Sequence, residues 1–181
     1  MNQLSPARRY SGVSKALHWV IALLAFSQLA MGKFFEVEAD EAEGLFGWHT
    51  ALGLLVLALM LVRLGWRLTH AVPRLPEDTP GWQQVAARTM HIAFYTLLIA
   101  LPLSGWLLTS VEGDPVTFFG WFGVPPLPVP GGEASEDLIE ETHEVLGNVL
   151  LVLAGIHVLA GLKHHYIDRD DVLRRMMPGS G

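Results

Sequence analysis

Cysteine is absent from the 181 residues. That excludes disulfides, thiolate metal sites, iron–sulfur clusters and covalent c-type haem attachment, so any metal chemistry must use histidine, carboxylate or methionine. Charge is scarce: 17% of residues are charged, against about 25% in an ordinary soluble domain. The 12 basic residues never gather into one stripe, so nucleic acid is not an expected partner. Repeats and low-complexity tracts are missing too. What the chain has instead is apolar length: 51% of it is hydrophobic, mean hydropathy is +0.36, and eight histidines are set into this background.

A bilayer crossing needs about 20 apolar residues. Four stretches qualify, near residues 16–35, 45–66, 88–110 and 141–165, and they predict an all-α membrane protein, a four-helix transmembrane bundle forming one domain over 1–181. The first stretch follows Arg8, Arg9 and Lys15 like a signal peptide but is too long for one, and reads as a retained signal anchor. Pro102 is expected to kink the third span without ending it. Thr79 and Pro80 read as N-cap and first residue of the third helix, with Trp82 as an interfacial anchor. Ser135 reads as the N-cap of the fourth, with Glu136 and Asp137 favourable in its first turn.

Charge orients the bundle. Eleven basic residues fall in the N-terminal segment, the span-two to span-three connection and the C-terminal segment, and one, Lys33, falls in the other two loops. The positive-inside rule puts both termini in the cytoplasm. The outer loops are acidic, with Glu36, Glu38, Asp40, Glu41 and Glu43 in the first. The second, about 111–140, contains FFGWFGVPPLPVP; its prolines and glycines exclude a regular helix. Phe118, Phe119, Trp121 and Phe122 there either cover the outer mouth of the bundle or anchor it at the interface.

Ionisable or metal-ligating residues inside a bilayer are costly and mark functional candidates. His18 falls near the inner start of span one, His49 near the outer start of span two, His143 near the outer start of span four, and His157 further in. His143 and His157 are 14 residues apart. On an α-helix that is about 40° in direction and roughly 21 Å in height, so they share a face at two depths. Depth pairs His18 with His157 and His49 with His143. Gly53, Gly147 and Gly161 each follow a histidine by four positions, on the same face, and leave room either for a flat macrocycle or for close helix packing. Paired imidazoles suit a six-coordinate haem iron without an open position, which is an electron-transfer centre. Zinc, the rival, wants three or four ligands at one depth. His91 lies near the inner end of span three, as a haem-propionate or quinone contact or as a satisfied core residue. Lys163, His164, His165 and Tyr166 form a polar cap at the inner surface. It could serve a quinone headgroup and its protons or meet lipid phosphates. His70 reads as a solvated loop residue.

These residues resemble the bacterial cytochrome b561 proteins. The resemblance rests on Ala16-Leu17-His18-Trp19, Trp48-His49, the Arg63–Arg67 segment, His91 with Tyr95, LIALPLSGWLLTSVEGDP, FFGWFGVP, the span-four histidine pair and LKHHYIDRDDVLRRM. It covers nearly the whole chain. The nearest likeness is to the branch whose genes often neighbour small periplasmic lipocalin-like proteins. The resemblance implies a bundle in the inner membrane with two b haems ligated at His18, His49, His143 and His157. It also implies a ubiquinone site near His164, with Lys163 and His165 beside it, and electron transfer between a periplasmic-side donor and the quinone pool. The partner could be a periplasmic lipocalin-like or redox protein. One family activity, superoxide oxidation at the outer face, would be served by a positive outer funnel. The acidic outer loops here depart from that and favour a neutral or cationic donor or a basic partner.

Overall fold

The computed structural model describes residues 10–34, 43–71, 73, 79–111, 113, 115–129 and 132–178. Arg8, Arg9, Glu36, Glu38, Asp40, Glu41 and Arg74 lie outside the described residues, as do the side chains of Lys33 and Glu43. Four long helices follow one another: α1 Gly12–Phe34, α2 Glu43–Thr69, α3 Gly81–Val111 and α4 Glu133–Lys163. All four are long and apolar enough to cross a membrane, so this is an all-α membrane protein built as a four-helix bundle.

The helix ends are set by local chemistry. Ser11 caps α1: its hydroxyl oxygen accepts the Ser14 N–H (3.2 Å), satisfying one of the free donors of the first turn. At α3 the Pro80 carbonyl accepts the Gln83 and Gln84 N–H groups, so the cap is one residue later than Thr79, whose carbonyl takes the Gln84 side chain. At α4 the cap is Gly132 (φ 127°), three residues before Ser135, whose N–H bonds the Gly132 carbonyl. α3 runs on through Pro102. Its 31 residues make about 46 Å of helix, longer than the roughly 30 Å hydrocarbon core, so the helix is long enough for its polar first turns to reach past that core. α4 widens at its end into a π-helical turn, His164–Asp168, closed by Arg169 in the left-handed region (φ 54°).

α1 packs on α2, α2 on α3 and α3 on α4, while among the described residues α4 makes no comparable backbone approach to α1 or α2. The packed centre is Ile21, Val56 and Met60, ringed by Leu17, Leu24, Leu59, Tyr95, Leu98 and Ile99. Outside it Leu23, Ile92, Val152 and Leu159 stand mostly exposed, an apolar surface suited to lipid rather than to water. Between α3 and α4 the aromatic loop forms a small antiparallel hairpin, β1 Val116–Phe118 and β2 Phe122–Val124. Its turn puts Phe119 (φ 50°) and Gly120 (φ 75°) in left-handed conformations, the backbone that suits the twist of a tight hairpin. β1 packs against α2, and Phe119 meets Trp48 edge-on at 5.4 Å.

The described termini share one end of the bundle: the Trp19 indole N–H of α1 donates to the Met176 carbonyl at 2.7 Å. This end also carries Arg63, Arg67, Arg88, Lys163, Arg169, Arg174 and Arg175. The hairpin end carries Glu133, Glu136, Asp137, Glu140, Glu141 and Glu144.

Candidate cofactor sites

Two histidine pairs link α4 to α1 and to α2, helices with no backbone approach comparable to those between sequence neighbours among the described residues. At the basic end His18 of α1 and His157 of α4 have ring centroids 6.3 Å apart, with planes at 78°. At the hairpin end His49 of α2 and His143 of α4 are 6.2 Å apart, with planes at 75°. These separations fit one metal ion between two rings. A metal–nitrogen bond of about 2 Å on each side, with about 1.1 Å from nitrogen to ring centre, gives about 6.2 Å. Neither pair gathers a third histidine or carboxylate within ligand reach among the described residues, which disfavours a tetrahedral zinc site.

The hairpin-end pair opens on a cavity of about 360 Å³ lined from all four helices and β1. Its walls are chiefly apolar, including Leu29, Leu54, Leu98 and Leu101, and both Gly53 and Gly147 face it. A Cβ on Gly147 would meet nothing within 4 Å, and one on Gly53 only the Gln28 amide at 3.3 Å. A flat apolar macrocycle fits this chemistry. Gly161 is placed differently: its nearest contact is Leu173 of the C-terminal segment at 3.8 Å.

His143 is held in a definite tautomer. The Ser104 hydroxyl donates to the Leu101 carbonyl (2.8 Å). Its oxygen is therefore left to accept the Nδ1–H of His143 (2.9 Å), and the Leu101 carbonyl lies within hydrogen-bonding reach of the same ring. Nε2 is then a bare lone pair, the form a metal ligand needs. Gly105 touches the same ring, since a Cβ there would lie 3.1 Å from His143 Cε1. Gln28 supports His49, donating its amide to the His49 carbonyl at 2.7 Å. Ser104, Gly105 and Gln28 were not singled out from the sequence; the SG in LIALPLSGWLLTSVEGDP was the available signal, and a glycine search along each histidine's own helix passes it by.

At the basic end Phe94 of α3 meets His157 edge-on at 5.1 Å. Arg63 of α2 reaches in, with Nη1 3.2 Å from His18 Nδ1 and Nε donating to the Tyr95 hydroxyl at 3.4 Å. Arg67 lies over the Tyr95 ring at 5.6 Å. His91 bonds the Ala87 carbonyl and sits within Coulombic reach of Arg67 and His157. His70 stacks on Trp66 at 3.7 Å. In the expected polar cap, Lys163 pairs with Asp168 (2.5 Å), and His164 Nδ1 donates to Asp170 (2.6 Å). His165 contacts only Tyr166 among described rings (4.7 Å). The π-helical turn brings His164 within 3.4 Å of Asp168 as well, and such turns recur at functional sites.

The family model for prokaryotic cytochrome b561 matches residues 9–179. The chain belongs to the prokaryotic cytochrome b561 family. Among its relatives, cytochrome b561 homolog 2 of Escherichia coli (strain K12) is 34% identical over 182 residues, covering 98% of this chain and 95% of that protein. Cytochrome b561 homolog 1 of the same strain is 33% identical over 173 residues, covering 94% and 97%. A Yersinia pestis protein named "Probable superoxide oxidase CybB" is 29% identical over 179 residues, covering 94% and 97%. As a cytochrome b561 family member with four spanning helices, the chain is a multi-pass bacterial membrane protein of electron transfer, and b-type haem is the cofactor the family implies.

Proposed function

We propose that this cytochrome b561 holds two b haems, at His49/His143 and at His18/His157, and moves electrons from a donor at the hairpin end to the quinone pool at the basic end. The observation that carries this reading is the pair of imidazole couples at metal-bridging separation, 6.2 and 6.3 Å. Each haem, when bound, supplies a one-electron couple without an open coordination position. The protein does the rest. His143 is oriented by Ser104, the glycines and leucines of the cavity admit a flat ring and keep water out, and α4 spaces the two sites through the bilayer. The basic end would face the cytoplasm, placing the chain in the inner membrane with the hairpin outside.

Glu140 and Glu144 line the hairpin-end cavity and would slow the approach of an anion. This argues against superoxide as the preferred donor and for a neutral or cationic one. At the basic end His164 would face ubiquinone, with Lys163 and His165 beside it. Asp170 takes the Nδ1–H, so Nε2 is left to exchange a proton with the quinone oxygen. The test starts from dithionite-reduced protein with its haem counted, mixed with a soluble short-chain quinone. Haem reoxidation should follow, and Asp170→Asn should slow it about tenfold with haem content unchanged. Full haem loading with no reoxidation would refute the quinone link.

A second reading is favoured by the hairpin, where Trp121 is 80% and Phe122 55% exposed. Such aromatics could dock a periplasmic lipocalin-like or redox protein, making the chain the membrane subunit of a larger electron-transfer complex. In that case Trp121→Ala would abolish reduction by the co-purified partner and leave quinone-driven reoxidation intact.

A further inference from the structure

The two histidine pairs sit in different electrostatic surroundings. Arg63 touches His18 and lies within Coulombic reach of both His18 and His157. Arg67 is one turn on, over Tyr95. Among the described residues no carboxylate forms an ion pair with either guanidinium; the acids of this end, Asp168, Asp170 and Asp171, pair with Lys163, His164 and Arg174. Tyr10 lies close to both arginines, but burial pushes its phenol up, so it stays neutral and offsets nothing. Both guanidiniums are half-buried and point into the bundle, where salt screens them poorly. At the hairpin end no described lysine or arginine acts on His49 or His143, and the charged side chains lining the cavity are Glu140 and Glu144.

The second contrast is in the ligand hydrogen bonds. His143 gives its Nδ1–H to Ser104 and the Leu101 carbonyl, which makes the imidazole a more basic ligand and favours ferric iron. No such acceptor faces Nδ1 of His18, whose neighbour, the Arg63 guanidinium, can only donate.

We infer that Arg63, supported by Arg67, makes the His18/His157 haem the more easily reduced of the two and so gives electron transfer its inward direction. The inference rests on the two-haem reading proposed above. With a haem held at each pair, one electron would leave the hairpin-end centre, oxidising it by one unit, and enter the basic-end centre, reducing it by one unit. The arriving negative charge is balanced by a guanidinium already in place, and no proton is required. Arg63 is thus a positioning residue for the electron, acting through its field.

The test is an equilibrium redox titration of the haem absorbance in the purified holoprotein, with haem per chain measured in parallel. Wild type should show two one-electron steps, the more easily reduced one being that lost in His157→Ala. Arg63→Gln should shift this step at least tenfold toward the ferric form, 59 mV for one electron, and leave the other step in place. Arg63→Lys should restore most of it. If Arg63→Gln loses haem, Arg67→Gln carries the same expected direction with a smaller shift. The inference is overturned if the hairpin-end haem is the more easily reduced, or if the haem-retaining arginine variant leaves both steps unmoved. Fewer than two haems per wild-type chain would instead overturn the reading beneath it.

Discussion

Exchanging His157 for alanine is expected to halve the haem content, from two per chain to one, and His49→Ala to do the same at the other depth. The reason is coordination number. A centre held by two imidazoles and nothing else has no spare ligand, and at neither site does a third histidine or carboxylate come within reach among the described residues. The loss should be local, because the pairs lie at separate depths, roughly 21 Å along α4, and share no side chain. His157→Ala also removes the ring packed edge-on against Phe94, so its melting temperature should fall more than that of His49→Ala, whose ring borders the cavity. Pyridine haemochrome assay per chain and thermal unfolding in detergent read both effects.

Enlarging Gly105 is expected to weaken and, with a large side chain, empty the hairpin-end site although no ligand is replaced. A Cβ there would stand 3.1 Å from His143 Cε1, closer than ordinary carbon contact, so Gly105→Ala must push the ring by a few tenths of an ångström. The same ring is tethered through Nδ1 to Ser104 on the same helix and cannot simply slide away. Overpacking of this kind costs about 1–3 kcal/mol, a factor of roughly 5–150 in occupancy if it falls wholly on the haem-bound geometry. Gly105→Ala should therefore weaken haem retention at this depth, and Gly105→Leu should remove it, with the basic-end haem unaffected. The comparison substitution is Gly147→Ala, where an added Cβ meets nothing within 4 Å. It should retain both haems, and equal losses in the two glycine variants would show that ring displacement is not the cause.

The residues legible in the sequence were those whose signal lies along one helix. His143 and His157 declare a shared face by spacing alone, and depth then offers His49 and His18 as partners. The long apolar runs declare the bundle. Helix starts were legible from capping chemistry rather than from hydropathy: Thr79 and Pro80 fall within two residues of the start of α3 and Ser135 within three of the cap of α4, although Gly81–Arg88 and Glu133–Glu140 are too polar to extend an apolar window. The hairpin was invisible because two strands of three residues carry too little alternation to register. The supports of the site were missed for a third reason. Ser104, Gly105, Gln28 and Arg63 act on histidines of other helices, at separations of 21 to 45 residues, and no periodicity within one helix reports a contact between two. Gly161 shows the converse: its spacing from His157 matches that of Gly53 and Gly147 from their histidines, yet it meets the C-terminal segment.

Whether the four histidines work as two couples is tested most directly by haem content in double variants. His49→Ala with His143→Ala should retain one haem per chain, no fewer than either single variant, because both changes strike one centre. His49→Ala with His157→Ala should retain none. One haem surviving in the second double variant, or none in the first, would contradict the pairing.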